Sequence, residues 1–141
     1  FDRGYITSSN EAKSEMLGVD AAVLADRGAV SAQVVCHMAL GAAERADATY
    51  GLAISGIAGP TGGTDDKPVG TVEFGLSTPE GVFRKRAQFP SRRRAAVREM
   101  SVYTAMGLLL WYIEGLLDAH DVQGPFSEDE VFSEGGVPLD Q

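Results

Sequence analysis

The stretch "ISGIAGPTGGTDDKPVGTVEF", residues 54–74, decides how this chain folds. An apolar run ends at Ile54, five glycines and two prolines follow in the next sixteen residues, and an alternating strand pattern returns at Thr71. A large glycine-rich loop, residues 56–70, therefore joins two strands. Because glycine adopts positive φ without steric cost, successive backbone N–H groups in such a loop can converge on an anion.

The surroundings of this loop leave two interpretations open. The loop follows a buried strand, and ligands commonly bind at the carboxyl edge of an α/β sheet. It lacks the Gly-Lys-Ser/Thr ending of a Walker A loop, and a strand rather than a helix follows it, unlike a dinucleotide fingerprint. The residues alone therefore indicate either a ligand cradle or a compact structural Ω-loop.

Periodicity outside the loop predicts an α/β layered domain with a mixed sheet. Asn10, Ser31 and Ser91 are the expected helix N-caps. Residues 81–89 alternate without a clear apolar face, which is typical of an edge strand. The predicted elements are a strand over 4–9, a helix over 10–18, a helical turn within 20–29, a helix from 31 to about 46, strands over 49–55, 71–78 and 81–89, and a helix over 92–119.

Composition indicates one globular domain. The chain has 141 residues, of which 44% are hydrophobic and 23% are charged, and no apolar run reaches membrane-spanning length. The sequence opens at Phe1 without a methionine, which is typical of a fragment or a processed chain. The single cysteine, Cys36, lies in an apolar helical pattern, so we expect a buried thiol in a cytoplasmic protein.

The charge is unevenly distributed along the chain. Residues 118–141 carry seven acids and no lysine or arginine, whereas residues 83–98 carry seven of the twelve basic residues and no acid. A net charge of −8 argues against nucleic-acid binding, and we expect a local anion site or a surface that meets the acidic residues. We therefore predict a domain over 1–118 and an extended, flexible tail over 119–141.

Three segments resemble one known family. "SSNEAKSEMLGV" (8–19), "GAVSAQVVCHMALGA" (28–42) and the loop motif "SGIAGPTGG…KPVGTV" (55–72) are similar to the C-terminal domain of the competence/damage-inducible protein CinA, the nicotinamide-nucleotide amidase family. The likeness covers about residues 1–117. It implies a three-layer α/β/α fold and hydrolysis of the carboxamide of nicotinamide mononucleotide by a metal-free, cofactor-free serine/lysine mechanism.

The resemblance also assigns site residues. The family's catalytic lysine corresponds to Lys13, which lies in the first turn of a predicted helix, where the helix dipole disfavours an ammonium ion while Glu11 and Glu15 favour it. A lysine acts as a general base near neutral pH only when its pKa is lowered, and the helix dipole acts in that direction here. The implied substrate-binding residues are Ser9, Asn10, Ser55, Gly56, Gly59, Gly62, Gly63, Lys67 and Arg94.

Two basic features leave alternatives open. Lys67 can pin the glycine loop together with Asp65 and Asp66, or it can contact a ligand phosphate. The family pattern includes an arginine near the start of the last helix, which corresponds to Arg94 when counted back from Arg98 and to Arg93 when counted forward from Phe89. Helix N-termini attract phosphate, so a phosphate role for one of the three is an alternative to a solvated face.

Two departures from the family pattern create a second functional hypothesis. The family's nucleophilic serine lies in a Glu-Ser-Cys-Thr-Gly-Gly segment upstream of "SNEAK", and this sequence shows no counterpart of it. The family's tyrosine position is occupied by Ser8, with Tyr5 three residues earlier, and Ser8 or Ser9 is a conceivable substitute nucleophile. The chain is therefore either an amidase that releases ammonia, with Lys13 as base, or an inactive relative that binds a nucleotide or a partner protein.

The remaining expectations concern metals and partners. His37 and His120 have no cysteine or carboxylate at metal-ligand spacing, so we expect structural or solvated histidines and no metal site. We expect a small-molecule mononucleotide as ligand, no membrane association and a homo-oligomer, because the apolar sheet of a shortened domain invites self-association.

Overall fold

The structure, a computed structural model, describes residues 1–137. None of the helices in this range has the length and apolar character that a membrane span requires. The elements are α1 (Asn10–Leu17), α2 (Ala21–Arg27), α3 (Ala32–Ala46), β1 (Gly51–Gly56), β2 (Thr71–Thr78), β3 (Gly81–Gln88), α4 (Arg94–Glu114), a 3₁₀ turn (Leu117–Ala119), β4 (Gln123–Phe126) and α5 (Glu128–Phe132).

The sheet has four strands in the order β1-β2-β3-β4, which confirms the α/β class. Every neighbouring pair is antiparallel, so the expectation of a mixed sheet is wrong for the described residues. The strand predicted over 4–9 is also wrong. That segment has no strand partner in the described chain: its Thr7 carbonyl accepts a hydrogen bond from a lysine side chain, and Ile6 is 86% exposed.

Helices cover both faces of the sheet, giving three layers. α3 packs on β1, β2 and β3, while α4 packs against β1 and β2 through a separate apolar cluster. The faces of β2 differ accordingly: Phe74 lies in the α4 cluster, and Gly75 faces α3, where a Cβ would sit 2.6 Å from the carbonyl oxygen of Val35. The glycine lets α3 approach the sheet closely.

Local capping explains where the helices begin and end. α1 starts after Ser9 rather than Asn10, because the Ser9 hydroxyl accepts the Ala12 amide, whereas Ser31 caps α3 as expected. α4 is shorter than predicted. Its N-cap is Arg93, which makes no side-chain capping bond, and it stops at Gly115 in the left-handed conformation (φ 73°).

The C-terminal segment, residues 117–137, is folded, so the expectation of an extended, flexible tail is wrong where the structure describes it. β4 pairs with β3, which is therefore not an edge strand, and Val131 and Val137 are buried in the α3 cluster. These apolar residues follow no helical or strand period, which explains why their burial was not expected. Residues 138–141 of the predicted tail lie outside the described part.

The acidic residues of this segment do not neutralise the basic stretch 83–98. Within residues 1–137 no ion pair joins the two segments. Contacts between the two segments include the strand pairing of Gln123 with Arg84 and a hydrogen bond from the Lys85 ammonium to the carbonyl of His120 at 2.5 Å.

Candidate functional site

Lys13 is a buried lysine on a short helix. Its side chain is only 6% exposed, and Nζ donates to the Thr7 carbonyl at 2.6 Å. Burial lowers the pKa of Lys13 below its ordinary value, because the ammonium ion loses solvation. This is the direction that a general base requires, and its cause is burial of the ammonium ion.

Ser9 and Asn10 flank the start of the same helix and are both exposed. The Ser9 hydroxyl accepts the Ala12 amide at 3.0 Å, so its contact in the structure is a helix cap. A lost N-cap costs about 1 kcal/mol, so Ser9 helps to hold the helix that carries Lys13. Ser8, at the family's tyrosine position, is exposed, whereas Tyr5 packs against the α3 cluster.

Ser55 and Lys67, near the two ends of the glycine loop, are fixed to the same turn between α2 and α3. The buried Ser55 hydroxyl donates to the Ala29 carbonyl at 2.6 Å. The Lys67 ammonium donates to the Arg27 carbonyl at 3.0 Å. Lys67 thus pins the loop, but to the end of α2, and it forms no ion pair with an aspartate of its own loop within the described residues.

The loop is closely packed around Val69. A Cβ at Gly63 would lie 2.5 Å from the Val69 backbone nitrogen, and one at Gly59 would lie 2.5 Å from the Val69 side chain. Gly59 also has a positive φ of 84°, as does Gly62 with 98°. Gly56 ends β1 against Val72, whose Cγ2 would be 2.8 Å from a Cβ. Side chains at these positions would change the path of the loop.

The tip of the loop presents unpaired backbone donors. At the base, the Ile57 amide donates to Thr71 and the Gly70 amide donates to Ile57. The amides of residues 61–63 make no hydrogen bond within residues 1–137, and all three residues are exposed. Three consecutive free N–H groups above a fixed base are an arrangement that can bind a phosphate or an oxyanion.

Two of the three clustered arginines reach this loop. Arg92 donates from Nη2 to the Pro60 carbonyl at 3.2 Å, and Arg94 donates from Nη1 to the Gly59 carbonyl at 3.4 Å. Arg93 is the N-cap of α4. Two guanidinium groups and the N-terminal end of a 21-residue helix therefore add positive charge beside the free amides.

The predicted site residues form two groups in the structure. Ser55, Lys67 and Arg94 meet at the glycine loop. Lys13 lies on α1, which packs against α2 and α3, and no hydrogen bond or ion pair joins it to the loop in the described chain. α2 and the residues that follow it lie between the two groups, because α2 contacts α1 and the carbonyls of Arg27 and Ala29 accept hydrogen bonds from Lys67 and Ser55.

The sequence analysis missed a buried ion cluster beside the loop. Glu73 is 1% exposed, accepts from Arg86 Nε at 2.7 Å and lies 3.7 Å from Arg84 Nη1. Ser55 is opposite Glu73 in the strand register. The sequence contained a signal for this ion pair. The two-residue turn at 79–80 pairs Thr78 with Gly81, and counting outward along the two strands places Arg86 opposite Glu73.

Cys36 and the histidines have structural environments. Cys36 is a free, buried thiol, and burial raises its pKa to about 12. His37 Nε2 bonds the Val131 carbonyl at 3.2 Å, and His120 stacks on Trp111 with ring centroids 3.6 Å apart. In the described range, no three His, Cys, Asp or Glu side chains are grouped as a metal ion would need.

Comparison with known proteins decides the family, because residues 1–113 match the CinA C-terminal domain. The chain belongs to this family. It is 49% identical over 108 residues to a CinA-like protein of Shewanella loihica, a match over 77% of this chain and 26% of that protein. It is also 49% identical over 109 residues to the nicotinamide-nucleotide amidohydrolase PncC of Escherichia coli K12, covering 77% of this chain and 66% of PncC.

Solved structures agree with this assignment. The competence/damage inducible protein CihA of Agrobacterium tumefaciens superposes with a TM-score of 0.75 at 39% identity, covering 77% of this chain and 67% of that one. A CinA superfamily protein of Escherichia coli gives a TM-score of 0.70 at 36% identity, covering 74% and 60%. This chain spans about a quarter of the length of its CinA-like relatives and about two thirds of the length of PncC.

Proposed function

We propose that this domain is a nicotinamide-nucleotide amidohydrolase, which hydrolyses the carboxamide of nicotinamide mononucleotide to nicotinate mononucleotide and ammonia. The observation that carries the proposal is Lys13: a buried lysine with a lowered pKa, in the family motif "SNEAK". The name of the PncC relatives supplies the substrate. We expect a cytoplasmic, pyridine-nucleotide-recycling role, in keeping with the free thiol of Cys36.

The chemistry assigns Lys13 the role of general base. A serine hydroxyl is a poor nucleophile near pH 7 unless a neighbouring base accepts its proton. The resemblance places that serine upstream of "SNEAK", where this sequence shows no counterpart, and Ser8 or Ser9 is the substitute hydroxyl that the chain itself offers. The serine oxygen attacks the amide carbon while Lys13 Nζ takes the proton, and the same proton then leaves with the amine as ammonia. Water hydrolyses the resulting ester to release the carboxylate and restore the serine.

The glycine loop supplies the binding site in this proposal. The free amides of residues 61–63 donate to the phosphate of the ligand. Arg94 and Arg92, which border the loop, neutralise the phosphate charge. Lys67 acts as a loop anchor through Arg27, and Ser55 acts similarly through Ala29.

The test is ammonia release from nicotinamide mononucleotide by the whole chain, with a binding titration in parallel. Lys13→Met should lower turnover by roughly 100- to 10,000-fold, the range that a positioned general base contributes. Lys85→Met is the matched control, because that ammonium bonds the carbonyl of His120, and it should leave turnover unchanged.

The same experiment addresses the inactive-relative hypothesis. Saturable binding of the nucleotide without ammonia release would contradict the hydrolase and support a nucleotide-binding domain. Absence of both binding and turnover would instead favour a protein-binding role. Turnover that Lys13→Met does not change would remove Lys13 from the mechanism.

A further inference from the structure

A cavity lies between α2, α3 and the C-terminal segment, and in the described chain its lining includes no residue of the glycine loop. Its volume is about 510 Å³, which is within the range of sites for small molecules. One wall consists of residues 131–134 and Gly136. Because the family match ends at residue 113, this wall lies outside the matched domain.

The lining includes a buried hydrogen-bond acceptor that lacks a donor. His37 is 6% exposed, and its Nε2 bonds the Val131 carbonyl at 3.2 Å. Since a carbonyl oxygen only accepts, Nε2 carries the proton, and Nδ1 of the neutral ring presents a lone pair. Nδ1 has no hydrogen-bond partner within residues 1–137. A buried acceptor without a donor is costly, so a ligand that supplies an N–H group to Nδ1 gains free energy there.

The ring of His37 is neutral at pH 7. Burial lowers the pKa of His37 below its ordinary value of 6.5, whereas the bond to Val131 and the charge of Asp20 act in the opposite direction with smaller effects. The carboxylate of Asp20 is therefore close enough to act on the ring. A neutral ring beside a carboxylate accepts a hydrogen bond from a cation without repelling it.

The exposed part of the lining is acidic. Asp20, Asp26 and Glu134 are exposed, and Arg27, which also lines the cavity, is paired with Asp26 at 3.0 Å. Carboxylates around a cleft raise the local concentration of cations. Within residues 1–137 no three His, Cys, Asp or Glu side chains are grouped as one metal ion needs. Separated carboxylates suit a ligand whose positive charges are also separated.

We propose that this cavity binds a small aliphatic diamine or polyamine. One ammonium group donates to Nδ1 of His37, and a second pairs with the carboxylates of Asp20 and Glu134. The hydrocarbon chain between them contacts Val23 of α2 and Phe132 of α5, the apolar parts of the lining. A lysine side chain of a partner protein carries a single ammonium group and cannot serve both places at once.

The first test is an NMR titration of the whole chain, labelled at histidine nitrogen, with 1,5-diaminopentane. We expect saturable binding and a shift of the His37 Nδ1 resonance, because this nitrogen gains a hydrogen bond. 1,5-Pentanediol, a neutral ligand of the same length, should bind at least about 10-fold more weakly, since its contacts are not charge-assisted. The diamine should also protect α5 from hydrogen exchange, because it binds only when α5 is packed against α3.

The second test removes the acids of the cavity. Asp20→Asn combined with Glu134→Gln should weaken diamine binding by roughly 3- to 30-fold, the effect of two exposed charge pairs. Asparagine caps a helix as well as aspartate does, so α2 should remain folded. Glu99→Gln combined with Glu114→Gln removes the same charge from α4, outside the cavity, and this control should bind the diamine like wild type.

The outcomes that contradict the proposal are distinct. Absence of saturable diamine binding, equally tight binding of the diol, or an affinity that Asp20→Asn with Glu134→Gln leaves unchanged would overturn the site. Pentylamine has one ammonium group, and equally tight binding of this ligand would overturn the diamine in favour of a lysine side chain of a partner protein. Mg²⁺ that displaces the diamine and produces the same His37 shift would overturn it in favour of a metal ion.

Discussion

The glycine loop (56–70) and the C-terminal segment (117–137) look alike in the sequence and behave differently in the structure. Both contain glycine, proline and acidic residues, and neither shows a clear period. The loop keeps an exposed tip whose amides at 61–63 are unpaired within the described residues. The C-terminal segment instead pairs with β3 and buries Val131 and Val137. Composition alone does not separate a loop with an exposed, unpaired tip from a segment that packs on the sheet.

The two regions are also attached by different donors. At the loop, Arg92 and Arg94 donate to loop carbonyls, and Lys67 of the loop donates outward to the carbonyl of Arg27. The C-terminal segment accepts from one ammonium, that of Lys85, and its buried contacts are with the amide of Gln33 and the ring of His37. Cationic anchors leave positive charge around the free amides, which suits an anionic ligand. Uncharged, buried anchors suit a structural contact.

The largest expected effect concerns the acids of the two regions. Glu73→Gln, beside the loop, should destabilise the protein by roughly 3–5 kcal/mol, because it leaves two arginines near a buried neutral group. Glu134→Gln, an exposed acid of the C-terminal segment, should change the free energy of unfolding by less than about 0.5 kcal/mol. Urea denaturation measures both, and equal effects would contradict the distinction.

Removing a cation from the loop should affect ligand binding more than folding. Arg94→Gln should weaken nicotinamide mononucleotide binding by about 10- to 100-fold, because a charge-assisted contact is lost, and should reduce the salt dependence of the affinity. Gln33→Leu, which removes a buried anchor of the C-terminal segment, should lower stability and leave the affinity unchanged. Isothermal titration calorimetry at two salt concentrations measures both affinities. A loss of affinity in Gln33→Leu but not in Arg94→Gln would contradict the distinction between the two regions.

Glycine substitutions give a matched pair. Gly63→Ala should weaken nucleotide binding by about 10-fold, because its Cβ would collide with the Val69 backbone and displace the tip of the loop. Gly135→Ala in the C-terminal segment has open space around its Cβ and should have no effect on affinity. If both variants bind like wild type, the shape of the tip does not matter for the ligand.

The smallest effect is a pH dependence confined to the C-terminal segment. Docking here means the packing of the C-terminal segment against α3. In the docked state, burial lowers the pKa of His37 below its ordinary value of 6.5, so neutral His37 stabilises docking above that pH. Docking should weaken as the pH falls below about 6.5, by at most roughly 1.4 kcal/mol per pH unit, because protonation favours the undocked segment. Hydrogen exchange of α5, corrected for intrinsic rates, measures this.

The control for this pH dependence is His37→Gln, which has no titrating ring. It should show the same α5 protection at pH 5.5 and pH 7.5. A pH dependence that persists in this variant would assign the effect to nearby acids such as Asp20, whose charge raises the pKa of His37, or Glu134.

The sequence predicted the elements whose signals are local. The Ser31 cap, the stop at Gly18 and the hairpin turn depend on a few neighbouring residues, and these predictions are confirmed. The family resemblance, confirmed by the match over residues 1–113, came from motifs. The candidate site residues were assigned from those motifs and stay a prediction, and the motifs did not predict their contacts.

Contacts between distant residues could not be predicted. Lys67 reaches a carbonyl forty residues away, at Arg27, and Gln33 reaches one at Val137. The folding of the C-terminal segment depends on the free edge of β3, which its own residues do not reveal. The prediction of a mixed sheet that includes a strand over 4–9 was wrong for a similar reason. A strand forms only where a neighbouring strand can pair with it, and the sequence pattern of residues 4–9 does not specify such a neighbour.

The central claim is that the tip of the glycine loop binds the phosphorylated substrate. The direct test is an NMR titration of the whole chain with nicotinamide mononucleotide, with nicotinamide riboside, which lacks the phosphate, as the matched ligand. We predict the largest backbone amide shifts at Thr61, Gly62 and Gly63 with the mononucleotide, and much smaller shifts there with the riboside. Unchanged amides at these three residues while the nucleotide saturates another surface would contradict the account.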